Sequence, residues 1–414
     1  MSLIRKVRST FGDPVLVLLV LGLSLFGVAM IYSAGQIDTT DSVVERAWRM
    51  QLVWLAISLV ALLIVMRLQV RWLEWIAPIA WLIGVGALVV TLVIGTGAGT
   101  AASTKSWLSI GPARVQPSQF ANIATILMLG RVMSRWGEAP RKLTALWQPL
   151  LVVAVPMLLV MAQPDIGTAM VFGGMMLATL FWGGVPLGIL FLLVSPLLAL
   201  FLSINVQLFA IYMFVLIAFV YFYRLRLWES VLIVVANLAA GTIALPLWNS
   251  LAPYQRARFT VFLDPYVDPS GRGYQLIQSR IAIGSGGLFG KGFTEGSQKR
   301  LAFLPEQHTD FIFAVIGEEL GFVGAALVVT TFGAILWRLA RLAERTTDPF
   351  AGIVAFGIFG AWFTHIQVNV GMTAGVMPIT GIPLPFISYG GSFLLATFIA
   401  LGVAQRVASE QGRI

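Results

Sequence analysis

The segment PEQHTDFIF, residues 305–313, decides how this chain is read. A long polar, glycine-rich stretch ends there and a strongly apolar run begins, with Asp310 at the junction. The chain has 414 residues, 58% hydrophobic and 11% charged, whereas a soluble domain carries roughly 25% charged residues. It has too little polar surface to cover itself in water and reads as an all-α polytopic membrane protein. The junction is therefore the edge of a bilayer. Only 18 acidic residues occur in the whole chain, so a carboxylate at that edge asks for a reason.

Outward from Asp310, a hydrocarbon core needs about 20 apolar residues as helix. That length predicts twelve spans, near 14–34, 49–66, 74–96, 116–134, 147–162, 167–183, 186–203, 206–223, 227–248, 310–337, 350–371 and 385–406. Lys and Arg in short loops favour the cytoplasmic side. With Arg5, Lys6 and Arg8 inside, the same side receives Arg67, Arg71, Arg131, Arg135, Arg141, Lys142, Arg224, Arg226, Arg338, Arg341, Arg345, Arg406 and Arg413. Both termini are then cytoplasmic, and the segment 249–309 ahead of Asp310 is a large extracytoplasmic loop within a single membrane domain, 1–414. These loops account for the formal charge of +9, and no nucleic-acid partner is implied. The absence of cysteine rules out disulfides and thiolate metal sites, and two histidines are too few for a histidine cluster. The basic N-terminal stretch lacks a small-residue cleavage site, so it reads as a retained first helix.

A 61-residue connection is too long to be structureless inside a compact bundle. Asp264-Pro265 and Asp268-Pro269 predict turns. Tyr274, Ile277 and Ile281 recur at helical spacing and predict a short amphipathic helix on, or dipping into, the outer leaflet. The run Gly284–Gly292 reads either as a flexible loop or as backbone able to approach a phosphate. It is not a P-loop, since Ser285 and Gly292 stand where that pattern needs Gly and Ser or Thr. Asp310 is expected to open its helix with Thr309 as N-cap, leaving the carboxylate to face a cavity; the plain alternative is a carboxylate that merely caps. Ionisable groups at membrane depth mark functional sites by default. Glu318 and Glu319, two turns deeper, need partners or protonation. Arg114, Gln119, Asn122, Asp165, His365, Gln367 and Asn369 either glue helices together or line a polar cavity. Three prolines and five glycines between Asn369 and Ser392 predict a broken approach to the last helix, tolerated only where protein or water meets its backbone.

Five segments then carry a resemblance. QPS at 116–118, QPDIGT at 163–168, QSRIAIGSGG at 278–287, LPEQHTDFIFAVIGEELG at 304–321, and NVGM at 369–372 with GIPLPFISYGGS at 381–392 resemble, in order, the signatures of the RodA/FtsW (SEDS) family. The Pro383-Leu-Pro385 form is similar to the elongation branch more than to the division branch. The resemblance implies a peptidoglycan glycosyltransferase that polymerises lipid II at the outer face of the bacterial plasma membrane during cell-wall elongation. It also implies a class B penicillin-binding protein as partner and undecaprenyl diphosphate as leaving group. It makes Asp310 the catalytic residue, a general base on the acceptor hydroxyl in an inverting transfer. Arg114, Arg258, Arg280 and Lys291 would meet the diphosphate charge, alone or with a divalent cation, Mg or Mn. Asp165, Gln278, Ser279, His308, Thr309 and Ser388 join the substrate site through the shared segments. The alternative is a lipid-linked precursor transporter, a lipid II flippase, which predicts inverted repeats; the sequence displays none. Two departures stand out. Gln119 and Asn122 occupy positions where the family usually has Glu and Lys, and twelve spans exceed the family's usual ten, the extra pair falling within 186–248.

Overall fold

The computed structural model describes residues 12–36, 42–97, 105–111, 113–137, 139–140, 142–251, 256, 260–269, 271–300, 303–304 and 306–411. Arg258 and the basic cluster Arg5, Lys6 and Arg8 lie outside them. Each of the twelve expected spans has its helix: α1 Pro14–Ala34, α2 Ser42–Val65, α3 Val70–Ile94, α4 Pro117–Met133, α5 Trp147–Ala162, α6 Ile166–Trp182, α7 Leu187–Leu202, α8 Val206–Tyr223 and α9 Leu227–Ser250. After α10 Arg272–Ser285 and the short α11 Ser297–Arg300 come α12 Ile312–Arg345, α13 Pro349–Thr373 and α14 Gly391–Gln411. Among the described residues nine helices are long and apolar enough to cross a membrane, and α6 and α7 are shorter apolar helices. Between α3 and α4 a small antiparallel hairpin, β1 Leu108–Ile110 and β2 Ala113–Val115, sets Ser109 opposite Arg114.

Local chemistry starts these helices where the sequence changes character. Asp13 caps α1 by accepting from the N–H groups of Val15 and Leu16 at 3.1 and 3.2 Å, and Pro14 follows at the first turn. Asp348 and Pro349 repeat the device at α13, and Asn205 caps α8. An N-cap acceptor satisfies helix N–H groups that have no partner within the helix, and proline there loses no bond.

The most buried helices are α13 and α14. α13 is wrapped by α4, α6, α12 and α14, while α14 also lies along α2. Small residues allow the approach: a Cβ on Gly357 would lie 2.7 Å from Ile126, and one on Gly360 would lie 2.4 Å from Ala178. The helices α7, α8 and α9 instead form a separate unit. Leu192, Met213, Leu216, Val220 and Ile233 make their own core. A neutral polar knot joins them: the Tyr212 hydroxyl sits 2.7 Å from both the Ser195 carbonyl and the Asn237 amide oxygen, and Asn237 donates to the Ser195 hydroxyl at 2.9 Å.

Three helices depart most from expectation, and the first is α2, which begins at Ser42 rather than near 49. α12 begins at Ile312 and continues to Arg345, because a hydrophobic window ends with the hydrocarbon layer while a helix does not. α14 begins at Gly391 rather than near 385, because the segment before it takes left-handed backbone at Gly375, Gly381 and Phe386.

Candidate active site around Asp310

Asp310 sits in a turn, one residue ahead of the α12 N-cap, which is Phe311 and caps with no side chain. Glu306 opens the turn in a left-handed conformation, φ 55°, and accepts from the N–H of Phe311 at 3.3 Å. Thr309 does not cap the helix as expected. Its hydroxyl is 3.1 Å from both the carbonyl and the carboxylate of Glu306. His308 and Asp310 therefore share a turn rather than a helix, and both are half-buried.

The broken segment ahead of α14 holds this turn in place. The Ser388 hydroxyl donates to the Thr309 carbonyl at 2.7 Å, and the Tyr389 N–H donates to the His308 carbonyl at 2.9 Å. The Asn369 amide bridges the carbonyls of Asp310 and Ile382 at 2.9 and 2.7 Å. From the other side, Gln307 donates to the Ala34 carbonyl of α1 at 2.8 Å. Gly381 faces the catalytic candidate directly. A Cβ there would come within 3.3 Å of the Asp310 carboxylate, and its φ of +73° suits glycine. The same segment touches the start of α6, where a Cβ on Gly167 would lie 2.8 Å from the Thr380 carbonyl. Asp165 is the N-cap of α6. Its carboxylate accepts from the Thr168 N–H and hydroxyl at 3.0 and 2.9 Å and from Gln116 at 3.0 Å.

A second device fixes α12 itself. The helix breaks at Gly321, φ 64° and ψ −163°, and the glycine run is spliced into the gap. Phe322 and Val323 donate to the carbonyls of Gly287 and Leu288, while Lys291 and Gly292 donate to those of Glu318 and Glu319, all within 3.1 Å. The loop supplies the hydrogen bonds that the interrupted ladder lacks. Backbones meet so closely that a Cβ on Gly290 would stand 2.0 Å from the Glu319 carbonyl. Within the run, the N–H groups of Lys291 and Gly292 serve the helix.

Glu318 and Glu319 both find basic partners at depth, although the Oε2 of Glu318 is buried without a hydrogen bond. Glu318 accepts from Lys291 at 2.7 Å and from the N–H groups of Ser297 and Gln298 at 3.0 and 3.1 Å. Glu319, Lys299 and Ser33 form a wholly buried triad, with Glu319 paired to Lys299 and 2.7 Å from the Ser33 hydroxyl. Burial pulls the Lys299 ammonium below the usual lysine range, and Glu319 draws it back up. Both glutamates tie the loop to α12.

The amphipathic helix exists as α10, but its inner face is not the expected one. Leu276, Ser279 and Ala282 are buried, with Ala282 packed against Leu304, Phe311 and Ala314, while Ile281 is exposed. Its inner face packs on α12. The Ser279 hydroxyl donates to the Thr373 carbonyl at 2.8 Å and Arg280 to the Gly375 carbonyl at 2.9 Å, with Gln278 half-buried beside them. Arg280 keeps an exposed guanidinium, Lys291 is engaged by Glu318, and Arg114 is exposed on β2. At the departure from the family pattern, Gln119 donates to Gln116 at 3.1 Å, extending the chain to Asp165. A cavity of about 30 Å3 lies beside Gln119, Asn122 and His365, room for about one water. Among the described residues no three His, Cys, Asp or Glu side chains group together as in a metal cage.

Fold and site define a multi-pass helical membrane protein whose half-buried carboxylate is held in a pinned turn at the edge of the bundle. The family pattern described as cell cycle protein, FTSW_RODA_SPOVE, matches residues 14–212 and 203–413, and the chain belongs to that family. Peptidoglycan glycosyltransferase MrdB of Escherichia coli (strain K12) is 33% identical over 399 residues, covering 96% of this chain and 94% of that protein. The probable peptidoglycan glycosyltransferase FtsW of Trichlorobacter lovleyi is also 33% identical, over 417 residues, covering 99% and 96%. Among solved structures, a chain of a peptidoglycan synthase complex that coordinates polymerization and crosslinking is 28% identical with TM-score 0.71, covering 97% of this chain and 98% of that one.

Proposed function

We propose that this chain, a peptidoglycan glycosyltransferase, polymerises lipid II with Asp310 as general base. The observation that carries this reading is the Asp310 turn, fixed through Asn369, Ser388, Tyr389 and Gln307 beside a glycine that leaves room at the carboxylate. General-base catalysis needs such fixed geometry before it needs a tuned pKa. The Asp310 carboxylate takes the proton of the acceptor hydroxyl as that oxygen attacks the anomeric carbon. The bond from that carbon to the diphosphate oxygen breaks, its electrons leave with undecaprenyl diphosphate, and the configuration inverts. A diphosphate leaves as an anion, so acid catalysis is less needed than in glycosidases. Arg280 and Arg114, exposed at this end, meet its charge.

The site faces outward, with both termini cytoplasmic, as the distribution of Arg and Lys supports. The partner is a class B penicillin-binding protein, and the synthase complex that holds the similar chain supports that reading. Elongation rather than division rests on Pro383-Leu-Pro385, since relatives of both kinds are equally identical. Two of the helices α7–α9 are additions to the family bundle by their number; the family pattern matches in two stretches, 14–212 and 203–413, that overlap at the start of α8. The test is glycan-chain formation from labelled lipid II by the purified protein with its transpeptidase. Chains are expected. Movement of lipid II across vesicles with no chains formed would sink this reading in favour of the flippase.

A further inference from the structure

At the far end of α12 lies a second feature that the glycosyl transfer does not use. Beyond its break at Gly321 the helix runs on through Arg345, about 36 Å at 1.5 Å per residue, so Arg345 is remote from Asp310. A cavity of about 320 Å3 opens there, lined by Asp13, Trp337, Arg338, Arg341, Leu342, Arg345, Ala408 and Gln411. Three arginines enter it from one helix face against a single carboxylate. Asp13 holds Arg338 bidentately at 2.6 and 2.7 Å and is itself anchored by its N–H to Gln405 at 2.6 Å. That pairing is satisfied. Arg341 and Arg345 supply the excess charge, and both are exposed. Trp337, also exposed, places its ring 5.1 Å from the Arg341 guanidinium, a cation–π arrangement that orients the cation. Gln411 donates to the Leu342 carbonyl at 3.1 Å and joins α14 to α12 across the cavity.

A concave site with two unneutralised guanidinium groups, an interfacial tryptophan and an apolar floor from Leu342 and Ala408 suits an anionic group that carries an acyl chain. Basic pockets between membrane helices bind anionic lipid headgroups. Guanidinium is the side chain whose fork matches a phosphate. We propose that this cavity binds the phosphate headgroup of an anionic phospholipid of the adjacent leaflet, with Arg341 and Arg345 on the phosphate and Trp337 along the upper acyl chain. A soluble phosphate would use the same two arginines but neither Trp337 nor the apolar floor.

The test is retention of phosphatidylglycerol by the full-length protein in zwitterionic detergent, read by native mass spectrometry, with phosphatidylcholine as control. Each basic residue beside an anionic lipid surface contributes about fivefold in affinity, so Arg341→Gln with Arg345→Gln should lose roughly 30-fold. Arg341→Lys with Arg345→Lys keeps the charge but not the fork, and should bind between wild type and the Gln pair. Trp337→Ala should weaken phosphatidylglycerol and leave inorganic phosphate unaffected. Melting temperature reports folding, and the single Gln variants, at about fivefold each, carry the test if the pair unfolds. Equal retention by wild type and the Gln variants would overturn the proposal. So would displacement of phosphatidylglycerol by millimolar inorganic phosphate, which would make the cavity a site for a soluble anion.

Discussion

The Asp310 end of the bundle and the α7–α9 unit are built from the same apolar vocabulary and use it in opposite ways. In α7–α9 the helices run unbroken, the core is five aliphatic and thioether side chains, and the polar residues Ser195, Tyr212 and Asn237 satisfy one another without charge, the exceptions being left-handed Arg224 between α8 and α9 and the buried Glu229. Around Asp310 helices are broken, Glu306, Gly321, Gly381 and Phe386 take left-handed backbone, and an ion pair is wholly buried. Strained backbone and buried charge persist only where surrounding structure over-determines them, and they cluster at sites of chemistry. We propose that the irregular end is shaped by the reaction as well as by the bilayer.

That contrast can be broken experimentally, most forcefully at the buried triad. Glu319→Ala leaves Lys299 charged and unpaired in the interior, and removing one partner of a buried pair is worth about 3–5 kcal/mol. Unfolding in detergent should show that loss, and Lys299→Met combined with Glu319→Leu should recover much of it. A loss below about 1 kcal/mol for the single variant would contradict the burial of the pair. A smaller effect is expected at the splice. Gly290→Ala places a methyl on the Glu319 carbonyl at φ +79°, a strain of about 1–3 kcal/mol. Limited proteolysis should then cut between 286 and 300, and polymerisation should fall with it. Smallest of all is Asn237→Leu in α7–α9, where interhelical hydrogen bonds in membranes average about 0.6 kcal/mol. Polymerisation by that variant should stay within about twofold of wild type, and a large drop would tie the unit to the site.

The same contrast governs what the sequence discloses. Hydropathy alone finds a helix for each of the twelve spans, nine of them among the described residues long and apolar enough to cross a membrane, because in a bilayer length and apolarity are imposed residue by residue. Asp310 is legible through its position, and the irregularity of 375–390 through its Pro and Gly content. The inner face of α10 was legible only in part: the Tyr274, Ile277, Ile281 periodicity finds the helix but not the partner that rotates Leu276 and Ala282 inward. The splice of 287–292 into α12 and the partners of Glu318 and Glu319 are set by meetings across 20 or more positions. Only a hint existed, two adjacent carboxylates too deep to stand alone beside a run of glycines too dense for a plain loop. Thr309 misleads because a hydroxyl before an apolar run is the usual N-cap, yet here Glu306 competes for it at shorter range.

The central claim is that the Asp310 carboxylate removes the acceptor proton. Its most direct test is Asp310→Asn, measured for lipid II turnover and lipid II binding in the same preparation with the transpeptidase partner. Loss of a general base lowers the rate by about 10²–10⁴-fold, so turnover should fall within that range while binding changes by no more than a few-fold. Turnover within tenfold of wild type, with the variant folded and partner-bound, would contradict the account.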